Sequence, residues 1–265
     1  MKTVMTIAGS DSSAGAGIQA DLKTFAALGV YGTSVVTAIT AQNTQGVRLV
    51  EALSPETVAA QIDAVVSDIG ADVVKTGMLG NPAIVDVVAS KLREYGLTQL
   101  VLDPVLTASD GSDLMADGGM ALLREKLLPL ALVVTPNVDE AGALVGRRLA
   151  GWEDIRQAAR EIVDMGARNA VIKGGDATGP AIDLFYDGEQ YHEFAAARVD
   201  TENTHGTGCT FAAAIAASLA KGSAPKQAVA MAKAYVTKAM QMSYPLGHGH
   251  GPVHHFFRYW QDTTA

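Results

Sequence analysis

Apolar and polar positions along this chain follow two periods that take turns. Short apolar runs, VMTIAG, TSVVTAITA, ADVVKTGM, QLVLDPV, LVVTPN and AVIKGG, read as strands buried on both faces. Between them, apolar residues recur at helical spacing. Ile18, Leu22 and Phe25 share one face of a helix, and Gly29 stands where its C′ residue belongs. Ser54 and Pro55 read as the N-cap and first residue of the next helix, with Val58, Ile62, Val65 and Ile69 on its inner face. Asn81 and Pro82 repeat the signal for a helix running to Gly96. Further helices are predicted near Met120–Leu128, from Asp139, and from Trp152 to Met165. The alternation breaks once, where AIDLFYDGEQYHEFAAARV reads as two strands around an Asp187-Gly188 turn. Two helices follow, one after Gly208 and one from Pro225 to Ser243.

Strands that alternate with helices imply βαβ units. The predicted fold class is therefore α/β, a three-layer α/β/α arrangement with a mostly parallel central sheet. No linker, low-complexity tract or repeat divides the 265 residues, so one domain over 1–265 is expected. Composition narrows the function. The hydrophobic fraction of 48% is enough for a large core. The net charge of −8 argues against a nucleic-acid surface, which needs clustered Lys and Arg. No stretch approaches the ~18 apolar residues of a membrane helix, and MKTVMTIAGSDSS holds too short an apolar run for a signal peptide. A lone cysteine forms no internal disulfide and fits a reducing compartment. The expectation is a soluble cytoplasmic protein.

In such sheets ligands bind beyond the carboxyl ends of the strands. The residues predicted there carry chemistry: Gly9-Ser10-Asp11 and Gly15-Ala16-Gly17, Gln42-Asn43, Lys75-Thr76-Gly77-Met78, Asp103, Thr135-Pro136-Asn137 with Glu140, and Lys173-Gly174-Gly175. The strongest local signal is THGTGCT, residues 204 to 210, ahead of the apolar run FAAAIAASLA. Glycines at a helix N-terminus let an anion approach free backbone N–H groups. Cys209 in that first turn is placed to have its thiol pKa lowered, or else is a small buried hydrophobe. Asp103 and Glu140 suit a Mg²⁺ site, or are caps and turn residues. Lys173 suits a phosphate contact, or is a solvated strand-end lysine. Asp21 lies on the first helix. GSDSSAGAG lacks the G-x-G-x-x-G spacing, and no GxxxxGK[ST] occurs. His248, His250, His254 and His255 have no fixed ligand spacing and read as a plain C-terminal loop.

Taken together, TIAGSDSSAGAGIQADLKTFAALGVYG, TAITAQNTQGV, VKTGML, VLDPV, VTPNVDEAGAL, VIKGGD, FYDG and DTENTHGTGCTFAAAIAA resemble the bacterial hydroxymethylpyrimidine/phosphomethylpyrimidine kinase family of thiamine biosynthesis, in the ribokinase-like superfamily. The resemblance covers nearly the whole chain. It implies a ribokinase-like fold that uses ATP and Mg²⁺ to phosphorylate 4-amino-5-hydroxymethyl-2-methylpyrimidine and then its monophosphate. It implies a pyrimidine pocket of Gly9, Asp21, Gln42, Met78 and Val105, and metal-associated carboxylates at Asp103 and Glu140. Lys173, Thr204, Gly206 and Gly208 fall at nucleotide-binding positions. Gly206, Gly208, Cys209 and Lys173 fall at catalytic ones, Cys209 standing where most of the superfamily has an aspartate. It also implies a homodimer.

Two stretches depart from the family pattern. LTASDGSDLM follows Asp103-Pro-Val where small residues and Ser-Gly are usual, and Gly142 stands where a second acidic residue is common. Three rival readings remain open on sequence: a pyridoxine or pyridoxal kinase of the same superfamily, a NAD-dependent oxidoreductase on a doubly wound sheet, and a ligand-binding regulator without catalysis. The missing dinucleotide fingerprint argues against the second. Intact Asp103, Lys173 and Cys209 argue against the third.

Overall fold

The computed structural model describes residues 1–107, 114–174 and 181–260. Among the described residues nine strands form one sheet. In chain order they are β1 (Thr3–Asp11), β2 (Tyr31–Asn43), β3 (Gly46–Ala52), β4 (Val73–Thr76), β5 (Leu100–Leu102), β6 (Ala131–Val134), β7 (Ala170–Ile172), β8 (Ala181–Tyr186) and β9 (Tyr191–Ala196). The spatial order is β3-β2-β1-β4-β5-β6-β7-β8-β9. The six strands from β2 to β7 in that order pair in parallel. Both margins are antiparallel: β3 on one side, the β8–β9 hairpin on the other.

The predicted alternation is present, with its caps. Helix α1 (Gly17–Ala27) ends before Gly29, which takes φ +75° as a C′ glycine does. Helices α2 (Pro55–Asp68) and α3 (Pro82–Glu94) start at Ser54 and Asn81, whose side chains accept from Thr57 N–H and Ile84 N–H. The helix predicted near Met120 is one α-turn, α4 (Gly119–Leu122). It runs on as a wider π-turn over Leu123–Leu127 and a 3₁₀ turn over Leu128–Leu130. Then follow α5 (Val138–Val145), α6 (Trp152–Asp164), α7 (Thr207–Ala220) and α8 (Pro225–Gln241).

The core has two halves, one on each face of the sheet. The first packs Ile62, Val88, Leu92, Leu144 and Ile162 from α2, α3, α5 and α6. The second packs Phe25, Ile215, Val229 and Tyr235 from α1, α7 and α8. Helix α7 is buried on every side from Thr210 to Ser218. Its alanines let it approach sheet and neighbours closely, which puts its N-terminus at the edge of the sheet.

Three details differ from the sequence reading. Gly9-Ser10-Asp11 belongs to β1 instead of the loop after it. Lys75 lies inside β4, fully buried, instead of beyond its end. Strand β3 was not anticipated. Its residues are half-exposed or exposed throughout, so they carry no inward-facing period to read. Among the described residues no helix is long and apolar enough to cross a membrane. Gly175, Asp176 and residues 108–113 of LTASDGSDLM lie outside the described residues.

Candidate active site

A cavity of about 950 Å³ opens beyond the carboxyl ends of the parallel strands. It spans the point where strand order reverses, with β2 on one side of β1 and β4 on the other, where an open α/β sheet leaves a crevice. At one end lie Gly9, Gln42, Met78 and Val105. The β1–β2 register shifts between Ala8 and Ser10, so Gly9 sits at a bulge. A β-carbon on Gly9 would fall 2.9 Å from Met78 Cε; the bare backbone is what lets the thioether lie across it. Met78 is held in turn by its carbonyl, which accepts from Thr37 Oγ1 at 2.6 Å.

Beside this pocket three charged groups meet. Lys173 Nζ lies 3.1 Å from Asp103 Oδ1 and 3.8 Å from Glu140 Oε2. Thr135 Oγ1 donates to the same Asp103 oxygen at 2.8 Å. Each residue is placed by its own element. Asp103 N–H continues the β5 ladder to Thr76 O, and Lys173 N–H reaches Pro136 O at 2.8 Å. Glu140 closes a capping box at the start of α5: its Oε2 accepts from Asn137 N–H at 2.7 Å, and Asn137 Oδ1 accepts from Glu140 N–H at 2.8 Å. Burial alone would depress the Lys173 ammonium, but Asp103 and Glu140 outweigh it and hold its pKa above the ordinary value. Burial opposes the ionised form of Asp103, but Lys173 and Lys75 prevail and keep its carboxyl low. Glu140 is raised, by burial first, with Asp103 adding to the rise and Lys173 opposing it. Gly142, the departure noted in VDEAG, has a packing reason: a β-carbon there would fall 2.8 Å from Arg147 O.

The N-terminus of α7 forms the adjoining wall, with Thr204, Gly206, Gly208 and Cys209 all at the cavity. Gly206 is left-handed at φ +80°, and a β-carbon on it would fall 1.8 Å from Gly15 O. Only glycine allows that approach of the two loops. Thr207 N–H goes to Thr204 O and Thr210 N–H to Gly206 O, which leaves the Gly208 and Cys209 N–H groups at the cavity wall. A β-carbon on Gly208 would be 3.5 Å from Lys173 Nζ, so the helix start and the lysine face one volume.

Two sequence expectations are corrected here. The thiol of Cys209 is not lowered. Burial pushes it up to about 11, Asp21 and Asp103 add to the rise, and Lys75 and Gly17 N–H only partly offset it. The field of one helix end is weaker than the loss of water and two nearby carboxylates. Asp21 does not reach the cavity. It sits on the inner face of α1, fully buried, with Oδ2 accepting from Thr6 Oγ1 at 2.6 Å and Lys75 Nζ at 2.9 Å. Its pair with Lys75 lies behind the wall that Cys209 lines.

Asp11 and His205 were both read at strand and helix ends, but their pairing was not, and Asp183 and Lys233 were missed. Asp11 and His205 pair at 2.8 Å across 194 positions of sequence, both nearly buried. Asp183 and Lys233 pair at 2.9 Å at the far end, and Asp183 Oδ1 also accepts from Gly174 N–H. The one available signal was Asp183 itself, a charge at an inward position of an otherwise apolar strand. The C-terminal histidines divide. His248 and His250 are exposed and fold round Thr44, whereas His254 and His255 are each 4% exposed, so that part is packed structure instead of a plain loop. Among the described residues no three His, Cys, Asp or Glu side chains group as metal ligands.

Known proteins resemble this chain over nearly its whole length. Residues 11–254 match the family Phosphomethylpyrimidine kinase. The hydroxymethylpyrimidine/phosphomethylpyrimidine kinase of Rhizobium meliloti is 51% identical, over 97% of this chain and 98% of its own. The thiamine biosynthesis bifunctional protein ThiED of Geobacter sulfurreducens is 50% identical over 96% of this chain, which spans 52% of that longer protein. The pyridoxal kinase of Staphylococcus aureus, solved with AMP-PCP and pyridoxal, superposes with a TM-score of 0.89 at 40% identity, covering 97% of this chain and 94% of that one.

Proposed function

The chain belongs to the phosphomethylpyrimidine kinase family, and on that premise we propose that it phosphorylates hydroxymethylpyrimidine and then the monophosphate, with ATP as donor, in thiamine biosynthesis. One observation carries the reading: a pocket walled by Gly9, Gln42, Met78 and Val105 and a Lys–Asp–Glu cluster facing a helix N-terminus share one cavity. The pocket of Gly9, Gln42, Met78 and Val105 holds the pyrimidine. Gln42 both donates and accepts, as an aminopyrimidine edge requires. The Gly208 and Cys209 N–H groups receive the transferring phosphate, and Lys173 neutralises its charge from the other side.

Asp103 and Glu140 fit Mg²⁺. Two carboxylates with no third ligand among the described residues suit an ion that would keep waters and share nucleotide phosphates, in place of one caged by protein. When bound, the ion screens the phosphate charges against each other. Phosphoryl transfer through a loose transition state asks little of a base, so positioning and charge neutralisation supply most of the rate. A neutral Cys209 fits that division. It sits against the hydroxymethyl group and orients it; the new O–P bond forms as the bond between the γ-phosphorus and the β–γ bridging oxygen breaks and ADP leaves, and the hydroxyl proton passes to a phosphate oxygen and then to water. Asp21 serves this pocket only from behind, through Lys75.

Incubating the enzyme with Mg-ATP and hydroxymethylpyrimidine, its monophosphate or pyridoxine, and identifying products by mass, tests the reading. Turnover of both pyrimidines is expected. Pyridoxine turnover alone would overturn the substrate and keep the kinase. The resemblance to a pyridoxal kinase at 40% identity favours a secondary activity on that vitamin. We assign the active form as a homodimer, tested by light scattering, in which a monomer's mass would remove it.

A further inference from the structure

The Asp11–His205 pair touches Gln42, and its hydrogen bonds decide which way that amide points. This inference rests on Gln42 facing the substrate ring as proposed above. Asp11 accepts from five donors. Ser13 N–H and Ser13 Oγ reach Oδ1 at 2.8 and 2.7 Å. Gly15 N–H, Ala16 N–H and His205 Nε2 reach Oδ2 at 3.0, 2.8 and 2.8 Å. A carboxylate so surrounded is ionised and only accepts. The proton of that last contact therefore belongs to His205, on Nε2. The residue is held in place: the His205 backbone N–H donates to Gly251 O at 3.0 Å, and the ring lies so close to Gly15 that a β-carbon there would fall 2.2 Å from His205 Cδ2.

One end of the Gln42 amide lies 3.5 Å from that same Nε2. The other lies 3.2 Å from Thr40 Oγ1. With nitrogen toward His205, two N–H groups would oppose each other. Thr40, which has one proton, would also be claimed twice, by Gln42 Oε1 and by Ser10 O at 3.1 Å. A half-turn of the amide removes both conflicts. The oxygen then faces the His205 Nε2–H, whose single proton bonds Asp11 Oδ2 at 2.8 Å and is shared with Gln42 only as a weaker second contact at 3.5 Å. The nitrogen donates to Thr40 Oγ1, whose proton stays on Ser10 O. We infer that the Asp11–His205 pair fixes the Gln42 amide with oxygen on the His205 side and nitrogen on the Thr40 side, and so sets the donor–acceptor order offered to the substrate edge.

The consequence is a specificity filter. The free lone pair of Oε1 accepts from an exocyclic amine, and the second N–H donates to the adjacent ring nitrogen. A 4-aminopyrimidine presents that order, and a 4-oxo pyrimidine presents the reverse. His205 is a positioning residue that acts through Gln42.

Calorimetric titration of the whole enzyme with 5-hydroxymethyl-2-methylpyrimidine in its 4-amino and 4-oxo forms reads the filter. The 4-amino compound should bind about tenfold more tightly or better, the worth of one well-placed hydrogen bond. In His205→Ala that ratio should fall part of the way, and in the His205→Ala, Thr40→Val double variant, which removes both neighbours that order the amide, it should fall toward one. A mere loss of packing would weaken both ligands alike. A folded His205→Ala enzyme that keeps the wild-type ratio would overturn the inference. If that variant does not fold, ¹⁵N-histidine NMR of the wild type decides: a proton on Nε2 of His205 supports the assignment, and a proton on Nδ1 overturns it. Failure of both pyrimidines to bind the wild type would instead sink the functional reading, and the tautomer would still be measurable.

Discussion

At the scale of single residues, the site separates charge work from orientation. Lys173 touches both carboxylates and faces the α7 N-terminus, whereas Cys209 is a neutral thiol. Lys173→Ala should lower kcat by about a hundredfold or more, the usual cost of deleting a preorganised charge partner. Cys209→Ala should cost clearly less in the same steady-state assay, and the opposite ranking would refute this division of labour. The thiol itself offers a second test. A pKa near 11 leaves little thiolate at neutral pH, and only the thiolate is alkylated. Iodoacetamide should modify Cys209 slowly at pH 7, with a rate that climbs about tenfold per pH unit and is still rising at pH 9. A plateau between pH 8 and 9 would mean that the thiol is lowered after all.

At the scale of elements, the same side chain can start a helix and serve the site. Glu140 is the N3 residue of a capping box and also a flank of Lys173. These duties separate by substitution. Glu140→Gln keeps a carbonyl oxygen for Asn137 N–H and removes the charge. It should leave the urea midpoint near wild type while raising the Mg²⁺ needed for half-maximal turnover. Glu140→Ala should change the Mg²⁺ requirement similarly and also cost about 1 kcal/mol of stability, as lost caps do. Equal stability in the two variants would show that the box contributes nothing. The caps of α2 and α3 were readable in Ser54-Pro55 and Asn81-Pro82, because a cap depends only on residues within one turn, whereas α5 was expected only from Asp139 and its Asn137–Glu140 box came from the structure. Strand β3 was not readable, since an outer strand with no buried face has no period.

At the scale of the whole molecule, the C-terminal segment ties α8 to the start of α7. His255 Nε2 meets Thr210 Oγ1 at 3.0 Å, and Tyr235 OH donates to His255 O at 2.6 Å. Burial, with Lys23 and His254 adding to it, pushes the His255 pKa down from 6.5 to about 3. The unfolded chain then binds a proton that the folded chain refuses between those two values. Stability from this group is complete above about pH 6.5 and is lost as pH falls below it. Chemical denaturation of wild type and His255→Gln from pH 7.5 to 5 should therefore show the variant's deficit shrinking toward acid. Parallel curves would indicate that His255 does not titrate in folding.

The sequence by itself determined the alternation of elements, their caps, the late hairpin and the residue types gathered at the strand ends. All of these depend on neighbours within a turn or on a simple period. What only the tertiary structure decided is where each charge stands and what surrounds it. Asp21 and Gln42 both belonged to the expected pocket, yet one is sealed behind the wall with Lys75 and the other faces the cavity. Cys209 has the helix start that should lower a thiol, and burial reverses the sign. Asp11 and His205 lie 194 residues apart and share one hydrogen bond. Burial and ion pairing sum over every group that folding brings near, most of them distant in sequence, so their outcome cannot be read from any single stretch of chain.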